Sequence, residues 1–231
     1  MKKIVWRIVQ FPLTRIVLAF FMVMIPTGIV QSLYYANRET MPVLQNPVVG
    51  IGASVLIAAV ALLMYFLYVR AIEKRAVSEL SVRGMGRELG AGVLFGALLF
   101  TITIAILWGL GSYRIVGMNA WTGMLPAMAL SISSAVVEEV VFRGILFRIV
   151  QESLGSWLAL IISALIFGAL HLANPNATLF GGLAIALEAG LMLGAAYMVT
   201  RRLWLAIGIH FAWNFTQGGI FGVNVSGNAF G

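Results

Sequence analysis

The chain has 231 residues, 61% of them hydrophobic and only 10% charged, with a mean hydropathy of +0.99. A soluble domain carries about 25% charged residues, so the composition excludes a soluble globular protein and describes an integral membrane protein. The net charge of +7 fits Lys and Arg collected in cytoplasmic loops, and the sequence has no basic stripe with interleaved aromatics to serve as a nucleic-acid surface.

Residues Met1 to Arg15 are basic and amphipathic, with Lys2, Lys3, Arg7 and Arg15 among Ile, Val, Trp and Phe. The apolar stretch that follows is too long for a signal-peptide h-region and lacks a small-residue cleavage site, so an interfacial start leading into a span is expected. A span needs about 20 apolar residues. Such stretches occur at Ile16–Tyr35, Val48–Val69, Ala91–Leu110, Leu125–Val150, Ser156–Leu172, Leu179–Thr200 and Leu203–Val223. Pro26 is expected to kink the first. The fourth is longer than a bilayer requires and should tilt or protrude. The expected fold is all-α: a polytopic transmembrane helix bundle of about seven spans behind an amphipathic N-terminal segment.

Positive charge alternates between successive loops. The N-terminus, the Arg70–Arg87 loop, Arg148 and the Arg201-Arg202 pair fall on one side, and Arg38 and Arg114 on the other. The positive-inside rule then puts the N-terminus in the cytoplasm and the end of the last span outside, with the cell membrane as the expected location. After Asn214 the tail has few hydrophobic anchors, and the natural chain is expected to continue past Gly231.

The chain has no cysteine, which removes disulfides, thiolate metal sites and a cysteine nucleophile. All eight acidic residues are Glu, so an aspartyl dyad and a Ser-His-Asp triad are both excluded. Gly52-Ala-Ser54 could suggest a serine nucleophile, but its span holds no histidine and the motif fits small-residue helix packing.

Three polar elements stand in apolar text, where ionisable groups are costly and rare. The first is Glu138-Glu139 followed by Arg143. Glu139 and Arg143 share a helix face and can pair, while Glu138 points about 100° away. A carboxylate in an apolar pocket can act as a general base near neutral pH; alternatively the group is a packing ion pair with a protonated neighbour. The second is His171, either a catalytic or metal-ligating imidazole or a neutral histidine bonded to a backbone carbonyl. Glu138 lies 16 residues before Leu154, and His171 lies 16 after Gly155. A hairpin turning there puts them at one depth, since both helices rise about 1.5 Å per residue. The third is His210 with Asn214, four apart on one face. They could be oxyanion donors or interhelical hydrogen-bond glue. Glu188, in the sixth span, either faces the same cavity or pairs with a histidine or arginine. Residue types alone leave open a zinc site of His171, His210 and a Glu. They equally leave open a non-enzymatic protein, such as a transporter or an immunity or partner-binding factor, using the same polar cluster.

In order, Glu138-Glu139-Val-Val-Phe-Arg143, Phe167-Gly-Ala-Leu-His171 and His210-Phe-Ala-Trp-Asn214 resemble the signature of the CAAX-protease and bacteriocin-processing (CPBP, Abi) membrane family. The resemblance runs from about Leu125 to Asn214, without departure at the motif positions. It implies a catalytic helical core over residues 121–231, its cavity among the last four spans, behind an N-terminal membrane region over 1–120. It implies a glutamate-dependent endopeptidase. Glu138 would be the base that activates water, His171 its helper, His210 and Asn214 the oxyanion site, and Glu139 and Arg143 supporting residues. No cofactor is required by these roles, although a metal remains open. The implied substrate is a peptide or lipid-modified protein, either prenylated and CAAX-like or simply hydrophobic.

Overall fold

The structure is a computed structural model that describes residues 2–118 and 120–225. The described residues form helices α1 (Lys2–Val9), α2 (Pro12–Arg38), α3 (Pro42–Gln45), α4 (Pro47–Tyr68), α5 (Met85–Gly109), α6 (Met124–Glu139), α7 (Arg148–Leu154), α8 (Ser156–Leu170), α9 (Leu179–Ile185), α10 (Leu191–Thr200) and α11 (Trp204–Phe215). Four π-helical segments join or extend them: Val69–Glu73, Val140–Phe147, Ala186–Gly190 and Thr216–Ile220. Six helical stretches are long and apolar enough to cross a membrane: Pro12–Arg38, Pro47–Glu73, Met85–Gly109, Trp121–Leu154, Ser156–Ala173 and Leu179–Thr200. The protein is therefore a polytopic helical bundle. The expected seventh span is present as a shorter piece, the 12 residues of α11 followed by five of π-helix. The glycine-bearing tail runs partly into residues 226–231, outside the described part.

Local sequence sets the helix ends. Pro12 and Pro47 occupy first turns, where a missing N–H costs nothing. The Asn46 side chain accepts from Val48 N, and Thr178 accepts from Gly181 N, capping α4 and α9. Gly155, at φ 82°, makes the tight reversal between α7 and α8, at the turn expected from the sequence. Helix α2 runs unbroken through Pro26. In that turn the buried Thr27 hydroxyl donates to the Val23 carbonyl.

Helices α5 and α11 pack with their backbones almost in contact. A Cβ added at Gly92 would lie 2.5 Å from the Leu205 carbonyl oxygen, and one at Gly208 would lie 2.6 Å from that of Leu89. Gly96 meets Ile209 and Ala212 in the same way. Between lipid-embedded helices, van der Waals packing of small residues replaces the hydrophobic effect as the associating force. This seam seats α11, and with it His210 and Asn214.

One end of the bundle is tied together by charge. Arg15 and Arg148 reach Glu73 at 2.6 and 2.7 Å, and Arg75 reaches Glu79 at 2.9 Å. Arg202 pairs with Glu88, and Trp204 Nε1 donates to the Ser81 carbonyl at 2.7 Å. The Arg75 guanidinium is partly buried, which works against its charge, but the Glu79 carboxylate outweighs burial and holds its pKa above the usual arginine value. Beneath these pairs lies a dry layer of Tyr65, Tyr68, Val69, Phe147, Ile149 and Leu203, all fully buried.

Gly96→Ala should lower the thermal midpoint of the detergent-solubilised protein, consistent with overpacking costs of about 1–3 kcal/mol. Gly86→Ala, in the same helix with open space around it, should leave the midpoint unchanged or raise it, since alanine is favoured over glycine by about 1 kcal/mol in helices. Scanning fluorimetry on the two variants checks the seam.

Candidate active site

The two adjacent glutamates face different surroundings. Glu139 is fully buried, and its Oε1 accepts from Arg143 Nη1 and from His210 Nδ1, each at 2.9 Å. Glu138 keeps 29% of its side chain exposed and lines a cavity. Its Oε2 has no hydrogen-bond partner among the described residues and lies 3.8 Å from His210 Nε2. The imidazole of His210 therefore sits between the two carboxylates. Because a carboxylate only accepts, the Nδ1 of His210 carries the proton toward Glu139, and Nε2 is the nitrogen turned to Glu138.

Arg143 is completely buried. Besides Glu139, it donates from Nη2 to the carbonyls of Gly190 (3.1 Å) and Ala189 (3.4 Å). Its guanidinium lies over the Phe167 ring, 4.9 Å from the centroid. Those carbonyls belong to the π-helical segment Ala186–Gly190. Its wider winding interrupts the i→i−4 ladder, and π-bulges often occur at functional sites. Two more such segments adjoin the motifs: Val140–Phe147 starts directly after Glu139, and Thr216–Ile220 follows two residues after Asn214.

Phe167 belongs to the second motif but carries no chemistry of its own there, and only the structure shows its task. It stands at the centre of an aromatic wall, 4.6 Å from the His171 ring, 6.2 Å from that of His210 and 4.8 Å from that of Phe142. Its carbonyl accepts from His171 Nδ1 at 2.8 Å, which leaves Nε2 free. Close backbone approaches seat this wall: a Cβ on Gly168 would lie 2.6 Å from the Ala186 Cβ, and one on Gly190 would lie 2.8 Å from the Ala164 Cα.

Glu138, His171 and Asn214 line one cavity of about 280 Å³, together with Leu130, Ser134, Phe142, Leu170, Asn174 and Val225. His171 and Asn214 also line a second cavity of about 120 Å³, shared with His210 and Glu188. The four motif residues thus gather where two cavities meet. Glu188 does face this region, on the second cavity. Two details differ from the arrangement expected from sequence. His210 approaches Glu138 at 3.8 Å, while His171 shares its cavity wall. His210 has one ring nitrogen engaged by Glu139, so it is less free than a simple partner of Asn214 would be. Ser134, which no sequence motif singles out, accepts from Asn214 Nδ2 at 3.3 Å and helps fix that amide.

Among the described residues, no three or more His or Glu side chains gather at metal-ligand spacing.

Residues 119–216 match the model of the family described as Rce1-like, type II CAAX prenyl endopeptidase Rce1-like. That region is similar to the CAAX-protease family. No curated protein and no solved structure matches the chain. The match covers all three motifs and supports a membrane-embedded CAAX-type protease.

Arg143→Leu should destabilise the protein by about 3–5 kcal/mol, the usual consequence of stranding one member of a buried ion pair. Glu139→Leu combined with Arg143→Leu should recover much of that loss, because neither charge is then left alone. Thermal unfolding of the single and double variants in one detergent measures the coupling.

Proposed function

We propose that this protein is an intramembrane endopeptidase in which Glu138 activates a water molecule without a metal. The observation that carries the proposal is the unequal use of the two carboxylates. The Oε1 of fully buried Glu139 is spent on Arg143 and His210, whereas the Glu138 side chain is partly exposed and lines a cavity walled by His171 and Asn214. A base must be within hydrogen-bond reach of the proton it abstracts, and this cavity has room for a water and a peptide bond.

In the proposed reaction Glu138 takes a proton from water as the water oxygen attacks the scissile carbonyl carbon. The carbonyl π pair moves onto oxygen. The Asn214 amide donates to that oxyanion, joined by His210 Nε2 when the imidazole is protonated. Collapse of the tetrahedral species breaks the C–N bond, and Glu138 returns its proton to the leaving amine. His171 Nε2 holds the attacking water against Glu138. Glu139 plays the part a second carboxylate plays behind a catalytic histidine, fixing ring orientation and tautomer. The substrate is a peptide or lipid-modified protein whose apolar part lies in the bilayer, prenylated and CAAX-like or simply hydrophobic.

Glu138→Gln should abolish hydrolysis of a quenched apolar peptide, by about 10²–10⁴-fold, while its thermal midpoint stays near wild type. Asn214→Ala should lower kcat by about 10²-fold, and exhaustive chelation should leave the wild-type rate unchanged. Retained cleavage by Glu138→Gln in liposome assays would overturn the assignment.

A further inference from the structure

Helix α1 divides its residues between two opposite sides. At about 100° per residue, Ile4, Val5, Ile8 and Val9 fall on one side, and Trp6 and Gln10 fall on the other. Lys3 and Arg7 lie toward the flank between them. The chain turns at Phe11, which is extended (φ −65°, ψ 135°), and restarts with Pro12 in α2. Two contacts fix how α1 is rolled. Lys74 Nζ lies 4.4 Å from the centroid of the Trp6 ring, a cation–π approach. Gln10 Nε2 donates to the Ile72 carbonyl at 2.8 Å. The side carrying Trp6 and Gln10 therefore rests on the chain at the end of the second span. The apolar side faces away from the bundle, with Ile4, Val5 and Ile8 64%, 59% and 58% exposed.

Cations gather around this outward apolar side. Glu73 and Glu79, the carboxylates closest in sequence, are taken by Arg15, Arg75 and Arg148. Lys3, Arg7, Arg70 and Lys74 are exposed, and among the described residues they form no ion pair. Arg70 belongs to the π-helical segment Val69–Glu73, which ends one residue before Lys74. Exposed like charges repel unless anions lie among them. A soluble polyanion would meet the charges but leave Ile4, Val5 and Ile8 in water. A leaflet of anionic lipid satisfies both features, and the membrane-crossing helix that starts at Pro12 holds α1 at the level of the headgroups.

We propose that α1, Arg70 and Lys74 form a docking surface for anionic phospholipid, with Ile4, Val5 and Ile8 at the acyl boundary and Lys3, Arg7, Arg70 and Lys74 among the phosphates. Interfacial helices bind through buried apolar area together with attraction to anionic lipid. Each Lys or Arg brought to such a surface shifts the docking equilibrium by roughly fivefold. Docking also braces the fold. Ile72 and Lys74 flank Glu73, the carboxylate that holds Arg15 and Arg148, so lipid that fixes α1 steadies the ionic end of the bundle.

The absence of native cysteine permits a single reporter. Ile8→Cys is labelled with an environment-sensitive NBD fluorophore and placed in nanodiscs of phosphatidylcholine, alone or mixed with phosphatidylglycerol. With phosphatidylglycerol the fluorophore should be blue-shifted and several-fold better protected from acrylamide. High salt should remove that gain, because exposed charges are screened, and the triple change Lys3→Gln, Arg7→Gln, Arg70→Gln should prevent it. The wild-type thermal midpoint should rise with phosphatidylglycerol, as binding to the folded state requires. Equal protection in the two lipids, protection that survives high salt, or protection conferred on phosphatidylcholine nanodiscs by inorganic phosphate would each overturn the proposal. The salt arm uses the reporter protein without further substitution, so it decides even where the triple variant folds poorly. Glu138→Gln should dock as the wild type does, which keeps a failure of docking distinct from a failure of hydrolysis.

Discussion

A guanidinium with no solvent exposure, set in a lipid-embedded bundle, is the constraint from which the site is built. Arg143 can be tolerated there only if its charge is met, and both of its terminal nitrogens find partners. The partners come from three places: Glu139 one turn earlier, the Ala189 and Gly190 carbonyls of the next-but-one span, and the Phe167 face between them. Satisfying one side chain thus fixes three spans against each other. Glu139 extends the network to a fourth through His210. The polar cluster is a consequence of burying this charge in a particular way, and the cavity is what remains beside it.

The same constraint explains why two neighbouring glutamates differ. Side chains one residue apart on a helix diverge by about 100°, so only one could reach Arg143, and the other had to face elsewhere. A buried ion pair adds little net stability compared with well-packed apolar residues. Its value here is orientation: it holds the helix so that Glu138 meets the cavity and His210 is clamped by its other nitrogen. The glycine seam between α5 and α11 does complementary work. It lets α11 approach until His210 is within hydrogen-bond range of Glu139, something larger side chains at Gly92, Gly96 or Gly208 would forbid.

Much of this was legible before any coordinates. Continuous apolar runs located the spans because a bilayer demands about 20 such residues in helical form. The four-residue spacing predicted the Glu139–Arg143 pair, and equal distances from Gly155 anticipated Glu138 and His171 on one cavity. What escaped was what depends on contacts between distant segments. No local pattern announces that His210 will bond Glu139, 71 residues away, or that Ser134 will fix the Asn214 amide. The π-helical turns were invisible because their apolar residues read equally well as α-helix; their cause lies in tertiary demands such as the carbonyls offered to Arg143.

The ionic end of the bundle does two jobs with one set of residues. Arg15, Arg148, Glu73 and Glu79 draw the ends of several spans together beside the fully buried Tyr65, Phe147 and Leu203. A hydrolytic site needs one water per turnover but must keep bulk water from leaking across the membrane. A layer of fully buried aromatic and aliphatic side chains serves the second need, and the ion pairs at this end of the bundle hold together the helices that supply it.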